Sequence, residues 1–524
     1  MKAAGAFATL VVAGLLLLAT PAFAARPQIA FVPIDDRPVT YQLPQMLGAI
    51  AGIEVTTPPR AVIGKFLTPG DTDAVWTWLL SASTRDAFAY VLSTDMLAYG
   101  GLIASRTPQT PDTTAQVRLD RLVNLRVARP NKPVFAFGTV MRLAPTGVPA
   151  IGDAVSFFAA GAVGERIAEY ARLPDPPQTD ADRARAEQLR AAIGDSLLQA
   201  YVATRARNRE IDTYVLSLAG TAGLDRVILG QDDAGTVGLH LRDVAALRDA
   251  IARYGVGAQA TIESGTDELG MVLISAALAQ RAQWKPTVRV RYSRPDGGTV
   301  ADPLELGPVD QTADSVIASS GAQRVTGNAD IDLFVRVTKT SDADESAFVD
   351  AIAGDVAAKH SVAVVDLTFL GGSNDEQKAL VQAMIARKIA GSIDAFASWN
   401  TAANSLGTAL PAAIAAGAGK RLGTYDAAAH RRFLLDRYVD DYGYRLVVRD
   451  AVNADLAARG VAGHEYLLPD DYRFANDDVR SRLEPLGFDL LQQTGLDLQR
   501  PTILTTLPWP RTFEVWIDVL SYPR

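Results

Sequence analysis

The stretch Arg226–His240, RVILGQDDAGTVGLH, decides how the chain is read. Val227, Ile228 and Leu229 make an apolar run of strand length that stops in Gln231, Asp232 and Asp233, with Gly235 and Gly238 behind. Two adjacent carboxylates therefore sit just past a strand end. In α/β proteins that edge binds ligands, because the loops leaving the strands converge there while helices cover the faces. An Asp-Asp pair also caps turns and helices, so a single pair decides little. Repetition gives it weight, since the same layout of apolar run followed by polar cluster recurs along the chain.

Working outward, Ile29–Ile34 ends in Asp35-Asp36-Arg37-Pro38, and Ala89–Thr94 ends in Asp95, followed by Tyr99 and the paired glycines 100 and 101. Val134–Val140 leads to Arg142, and Ala258–Glu263 ends in Glu263 with Thr266, Asp267 and Glu268 close behind. Asp332–Val337, Ser361–Val365 with Asp366, and Ile393–Ser398 with Trp399-Asn400 continue the pattern. Thr266 is a plausible helix N-cap and Ser373–Glu376 has capping-box spacing. Asn400 and Asn404 are spaced to share one helix face.

Counted this way, eight strands alternate with helices, the requirement of a (β/α)8 TIM-like barrel. Ile53–Thr57 and Tyr214–Leu218 read as possible further strands, and the alternative is an open doubly wound α/β sheet or two such lobes. The rhythm breaks at Trp284–Val325. There TVRVRY (Thr287–Tyr292) alternates like a half-exposed strand before Pro295-Asp296-Gly297-Gly298, so residues 284–325 are expected to project as an inserted β hairpin. Residues 25–424 form the α/β domain, and 425–524 a mainly helical C-terminal region ending in a strand-like piece, Phe513–Leu520.

The chain has 524 residues, 48% of them hydrophobic, so it can bury a large core. With 51 basic against 59 acidic residues and no local basic patch, neither nucleic acid nor an anionic membrane is an expected partner. The absence of cysteine rules out disulfides, thiolate metal sites and a cysteine nucleophile. Residues 1–24 read as a signal peptide: Lys2, the apolar run Ala6–Ala19, then Ala22-Phe23-Ala24 as a cleavage site. The expected mature chain begins at Ala25, is periplasmic or secreted, and has no stable membrane insertion.

The segments FVPIDDRPVTYQLPQMLGAIAGIEVTTPP, STDMLAYGGLIASR, GQDDAGTVG, GTDELG and WNTAANSLGT together resemble a bacterial family known only as domain of unknown function number four-one-two-seven. The resemblance spans Ile29 to at least Leu410. It implies no activity, and its motifs coincide with the strand ends picked out above.

The chemistry is read from those ends. The four histidines show no tight ligand spacing, and no nucleophile elbow, P-loop or dinucleotide fingerprint occurs. Carboxylates, asparagines and aromatics at strand ends in an exported acidic protein suit an enzyme acting on a carbohydrate, with an N-acetylhexosaminide among the candidate substrates. Glycoside cleavage needs one carboxylic acid to protonate the leaving oxygen and a second group as nucleophile, base or positioner. Asp232, Asp233 and Glu263 are the catalytic candidates. Asp35, Asp36, Arg37, Asp95, Tyr99, Arg142, Asp267, Glu268, Trp399, Asn400 and Asn404 are the substrate-binding ones, with Tyr99 or Trp399 as a stacking surface. No cofactor is expected and no residue is assigned to a metal. A non-catalytic carbohydrate-binding protein and a hydrolase using a hard cation on the same carboxylates remain as alternatives. Asp35, Asp95, Asp232, Glu263, Asp366 and Asn400 are expected around one concave site.

Overall fold

The computed structural model describes residues 26–146, 162–221, 223–338, 341–499 and 501–521. The expected signal peptide lies outside them. Among the described residues the α/β strands pair into two open parallel sheets. The first contains β1 (Gln28–Val32), β2 (Glu54–Thr56), β3 (Ala89–Ser93), β4 (Val134–Val140), β5 (Arg226–Gln231) and β6 (Ala260–Ser264), in the order β2-β1-β3-β4-β5-β6. The second contains β7 (Thr287–Tyr292), β8 (Gln323–Arg324), β9 (Ile331–Arg336), β10 (Ser361–Asp366) and β11 (Ala395–Ala397), in the order β8-β7-β9-β10-β11. Each lobe thus begins with the same 2-1-3-4-5 order, and the first adds β6 at its far edge.

These pairings correct the barrel expectation in favour of two lobes. The eight strands expected to close a ring divide five to three between the sheets, and β6 pairs with β5 alone. Polar residues at C-terminal strand ends occur in barrels and open sheets alike, so that signal does not separate them. Ile53–Thr57 does contain β2, whereas Tyr214–Leu218 lies inside the helix Asp195–Thr221.

The expected insertion is also corrected. Thr287–Tyr292 is β7, an interior strand paired in parallel with both β8 and β9. Its alternating pattern has another cause. Arg289 and Arg291 share one face, where they pair with Asp332 at 2.6 Å and Asp355 at 2.7 Å and stay 29% and 33% exposed, so an interior strand keeps a half-exposed charged face. The Pro-Asp-Gly-Gly run leads into a 3-10 turn, Gly297–Thr299, and the helix Val309–Ser319 then makes the crossover to β8. Parallel neighbours require such a crossover.

Helices bind the lobes together. Leu269–Arg281 is buried on nearly every side and packs against Ala402–Leu422, which lies against β9, β10 and β11. Helices enclosed in this way are apolar all round. Phe31 and Phe137 of the first sheet therefore share one core with Leu333 and Val365 of the second. Beyond residue 425 the chain is mainly helical. Helix Ala427–Arg437, the π-helical segment Tyr438–Val448 and helices Arg449–Ala458 and Pro469–Thr494 pack with the other face of the second sheet. An antiparallel hairpin, β12 (Pro501–Thr506) with β13 (Trp516–Ser521), completes it. Among the described residues no helix is long and apolar enough to cross a membrane.

Candidate functional site

In the first sheet the strand order reverses between β1 and β3, and the loops leaving those strands diverge. Such a point opens a crevice for ligands at the carboxyl ends of the strands. A cavity of about 220 Å³ lies there. The first lobe supplies Arg37, Arg106, Arg142, Asp232, Asp233 and Asp267 to its wall, and the second supplies Asn400, Thr401 and Asn404. The loop between β12 and β13 adds Trp509, Arg511 and Phe513, and Glu465 stands at the rim.

At one end Arg37, only 5% exposed, clamps two carboxylates. Its Nε and Nη2 donate to Asp35 at 2.8–3.1 Å, and its Nη1 and Nη2 donate to Asp267 at 2.9 and 2.6 Å. This planar two-point pairing fixes the Asp267 carboxylate facing the cleft. Asp35 also accepts from Thr40 Oγ1 at 2.5 Å and does not reach the cavity itself. Trp509 wedges against Arg37, 5.2 Å from ring centre to guanidinium carbon, and donates from Nε1 to Asp36 at 2.7 Å. Burial pushes the Asp36 carboxyl up, against the lowering effect of the Trp509 hydrogen bond and Arg60.

At the other end β5 runs beside β4 as far as the hydrogen bond from Asp232 N to Val140 O, which sets Asp232-Asp233 alongside Arg142. Arg205 holds that loop through the carbonyls of Met141 and Arg142. Arg106 Nη2 pairs with Asp232, and Arg142 Nη1 lies 3.3 Å from Asp233. Asp233 adopts a left-handed backbone, φ 31°, unusual without glycine. Burial foremost, then the Asp232 charge, raises the Asp233 carboxyl above the ordinary range, with Arg142 opposing.

The second lobe contributes an ordered amide pair. Asn404 Nδ2 donates to Glu268 at 2.6 Å, and Asn404 Oδ1 accepts from Asn400 Nδ2 at 2.6 Å. Asn400 is also left-handed, φ 55°. Asn400 thus precedes the helix Ala402–Leu422 rather than sharing its face with Asn404 as the spacing suggested, but both asparagines line the cleft. Glu268 is buried beneath them, and burial raises its carboxyl well above the ordinary range. Ala402 N and Ala403 N at the start of the Asn404 helix donate to Asp302 and Glu305 at 2.9 and 2.5 Å, satisfying end groups that a helix leaves open.

Several expected residues lie elsewhere. Glu263 is buried against Ser319 of the crossover helix, outside the cleft, and burial pushes it to about 7. Asp95 sits under the floor near Ser105 and Thr139, raised to about 6 by burial. Tyr99 lies beneath Arg207, and Trp399 is core, its Nε1 on Thr408, so neither offers a stacking surface. The cleft's partly exposed aromatic is Phe513. Asp366 is buried in the second lobe with Arg336 and Thr368. Of the six residues expected around one site, only Asp232 and Asn400 line the cavity. Thr266 does not cap its helix, whose first flanking residue is Glu268, whereas Ser373–Glu376 forms the expected capping box. Among the described residues the trio with metal-ligand spacing, Asp332, Asp355 and His360, is remote from the cleft, and its two aspartates already hold Arg289 and Arg291.

Arg106, Trp509, Arg511 and Phe513 escape the sequence reading. The signal for Arg106 was its place in STDMLAYGGLIASR, and for the others the proline-flanked aromatic PWPRTF between two alternating runs.

One glycine holds the two ends in register. Gly265 has φ 88°, and a Cβ there would lie 2.0 Å from Glu268 Oε1 and 2.6 Å from Ala403 Cβ. Gly265→Ala is expected to destabilise the protein by about 2–4 kcal/mol, from the left-handed backbone and overpacking together. Thermal melting checks this, and a melting temperature equal to wild type would show that the lobes adjust freely here.

No curated protein matches the chain. A family model described as a protein of unknown function matches residues 29–518, and the chain accordingly belongs to the DUF4127 family.

Proposed function

We propose that the protein is an exported glycoside hydrolase-like enzyme that acts on a single sugar ring, with Asp233 as general acid and Asp267 as the second carboxyl of the pair. The observation that carries this reading is the unequal treatment of carboxylates in one cavity. Asp233 is pushed toward its protonated form by burial and by Asp232, while Asp267 faces the same space held by two guanidinium nitrogens of Arg37. A carboxyl pushed toward its protonated form beside a second carboxyl fixed in place by a guanidinium is what acid-assisted glycoside cleavage requires. Asp232, tied to Arg106, orients the substrate rather than donating a proton; for an N-acetylhexosaminide its partner would be the acetamide.

The rest of the wall fits the same substrate class. Asn400 and Asn404 suit hydroxyl groups, and Phe513 offers a ring face. At about 220 Å³ the cavity is small beside the roughly 300–1,000 Å³ of sites for larger ligands, which favours one ring over an extended chain. Each cleft aspartate already holds a guanidinium, which disfavours the alternative in which they bind a hard cation.

The test is a panel of nitrophenyl glycosides, N-acetylhexosaminides included, followed by release of nitrophenol. Turnover of at least one member is expected. Saturable binding without turnover would assign a carbohydrate-binding role instead, and neither binding nor turnover across the panel would remove the carbohydrate reading.

A further inference from the structure

The four guanidinium groups of the cleft are not equally occupied. Arg37 serves two carboxylates, so the cavity's negative charge gathers at its end. Arg511 holds Glu514 through Nε and Nη2. Among the described residues, Arg106 and Arg142 share the opposite end with Asp232 and Asp233 as their ion-pair partners. Each guanidinium has five N–H donors. Arg142 places Nε on Ala144 O at 2.9 Å, while its Nη1 contact to Asp233 is a long 3.3 Å and its Nη2 contact to Pro145 O is 3.5 Å. Arg106, 7% exposed, donates from Nη1 to Thr146 Oγ1 at 3.2 Å, and its buried Nε has no hydrogen-bond partner among the described residues.

Two like charges are thus held close in a partly enclosed space. Burial foremost, then the Arg142 charge, lowers the Arg106 pKa, with Asp232 and Asp233 opposing. A protonated Asp233, as the glycoside reading needs, leaves this end with two guanidinium charges against one carboxylate. Paired guanidinium groups with unfilled donor positions are suited to planar oxyanions.

We propose that the sugar taken by the cleft is an acidic one, carrying a carboxylate or another oxyanion that sits between Arg106 and Arg142. This rests on the glycoside reading and adds to it the charge of the substrate and the direction in which it lies. The acidic group points to the β4–β5 end, away from Asp267.

The test is calorimetric titration of the full chain at low and high salt. The probes are galacturonate, N-acetylmuramic acid, a sulfated galactose, and neutral galactose and N-acetylglucosamine. The expected result is that an acidic probe binds about 10- to 100-fold tighter than its neutral counterpart, the range of one charge-assisted contact, and that salt narrows the gap. The carboxylated and sulfated probes distinguish the two sources of charge. Arg142→Gln should abolish the preference for the acidic probe over its neutral counterpart, with melting checked to confirm folding. Equal or tighter binding of neutral sugars by wild type overturns the acidic-sugar inference and leaves the glycoside reading standing. Binding of no probe overturns the inference, and if the nitrophenyl panel is silent as well, the glycoside reading falls with it.

Discussion

Replacing Asp233 by Asn is expected to lower turnover of a confirmed glycoside about 100-fold or more and to leave the fold intact. Asn keeps the shape of the side chain and the contact with Arg142, but has no proton to give the leaving oxygen. Loss of a general acid typically costs about 10²- to 10⁴-fold. The pH dependence carries the same signature. Burial and Asp232 raise the Asp233 pKa, with Asp267 adding to the effect and Arg142 and Arg106 opposing it. The active form is protonated, so kcat/KM should fall as the pH rises through that raised value. In Asp233→Asn this limb should vanish from whatever activity is left. Asp267→Asn should also be impaired, but it removes the second carboxyl and so should leave the limb in place. Wild-type turnover in Asp233→Asn, on a substrate that wild type cleaves, would clear Asp233 of the acid role.

The site was legible where a single segment carries both the strand and its polar end. RVILGQDD announces β5 and the Asp232-Asp233 pair in eight residues, and IAFVPIDDR does the same for β1 and Arg37. Sequence could not say which way each side chain turns. Glu263 lies next to the end of its strand just as the other candidates do, but it points to the face covered by the crossover helix, where Ser319 receives it. Trp399 follows its strand as expected and is then drawn into the core by the bond to Thr408.

The fold was legible as α/β and misread in its closure for a related reason. Strand β8 is only two residues long, too short for any periodicity to register. In β7 the half-exposed arginines of TVRVRY suggested a projecting hairpin, because their partners Asp332 and Asp355 stand more than forty residues away. Ion pairs across sequence distance let an interior strand keep a charged, half-exposed face. The C-terminal hairpin shows the same limit: nothing local in PWPRTF says that Trp509 will reach Asp36 near the other end of the chain.

The second large effect is expected at Arg437, where the C-terminal region meets the site. Arg437 is 1% exposed and holds three carboxylates at once: Asp436 at 2.6 Å, Asp441 at 3.1 Å and Asp440 at 3.2 Å. Asp441 in turn accepts from Ser398 N at 2.8 Å, at the end of β11 and two residues before Asn400. Arg437→Met should therefore destabilise the protein by about 3–5 kcal/mol near pH 8, because it takes the nearest cation from three buried carboxylates and leaves Asp440 and Asp441 with the longer contacts to Arg445 at 3.4 and 4.0 Å. In the native protein burial, ahead of the opposing Arg437 charge, raises Asp436 from 3.8 to about 6 and Asp441 from 3.8 to about 7. Between the unfolded and folded values the native state binds more protons than the unfolded chain. The stability these two groups contribute is thus full below about 3.8 and is lost as the pH rises through about 6 to 7. Without Arg437 the folded values should climb further, so protonation should relieve the variant. Its deficit should be largest at pH 8 and visibly smaller at pH 5. Denaturant unfolding of both proteins at the two pH values measures this. A deficit that is absent at pH 8, or that is the same at pH 5, would mean that the carboxylates around residue 437 are not held apart from water by the packing that buries them.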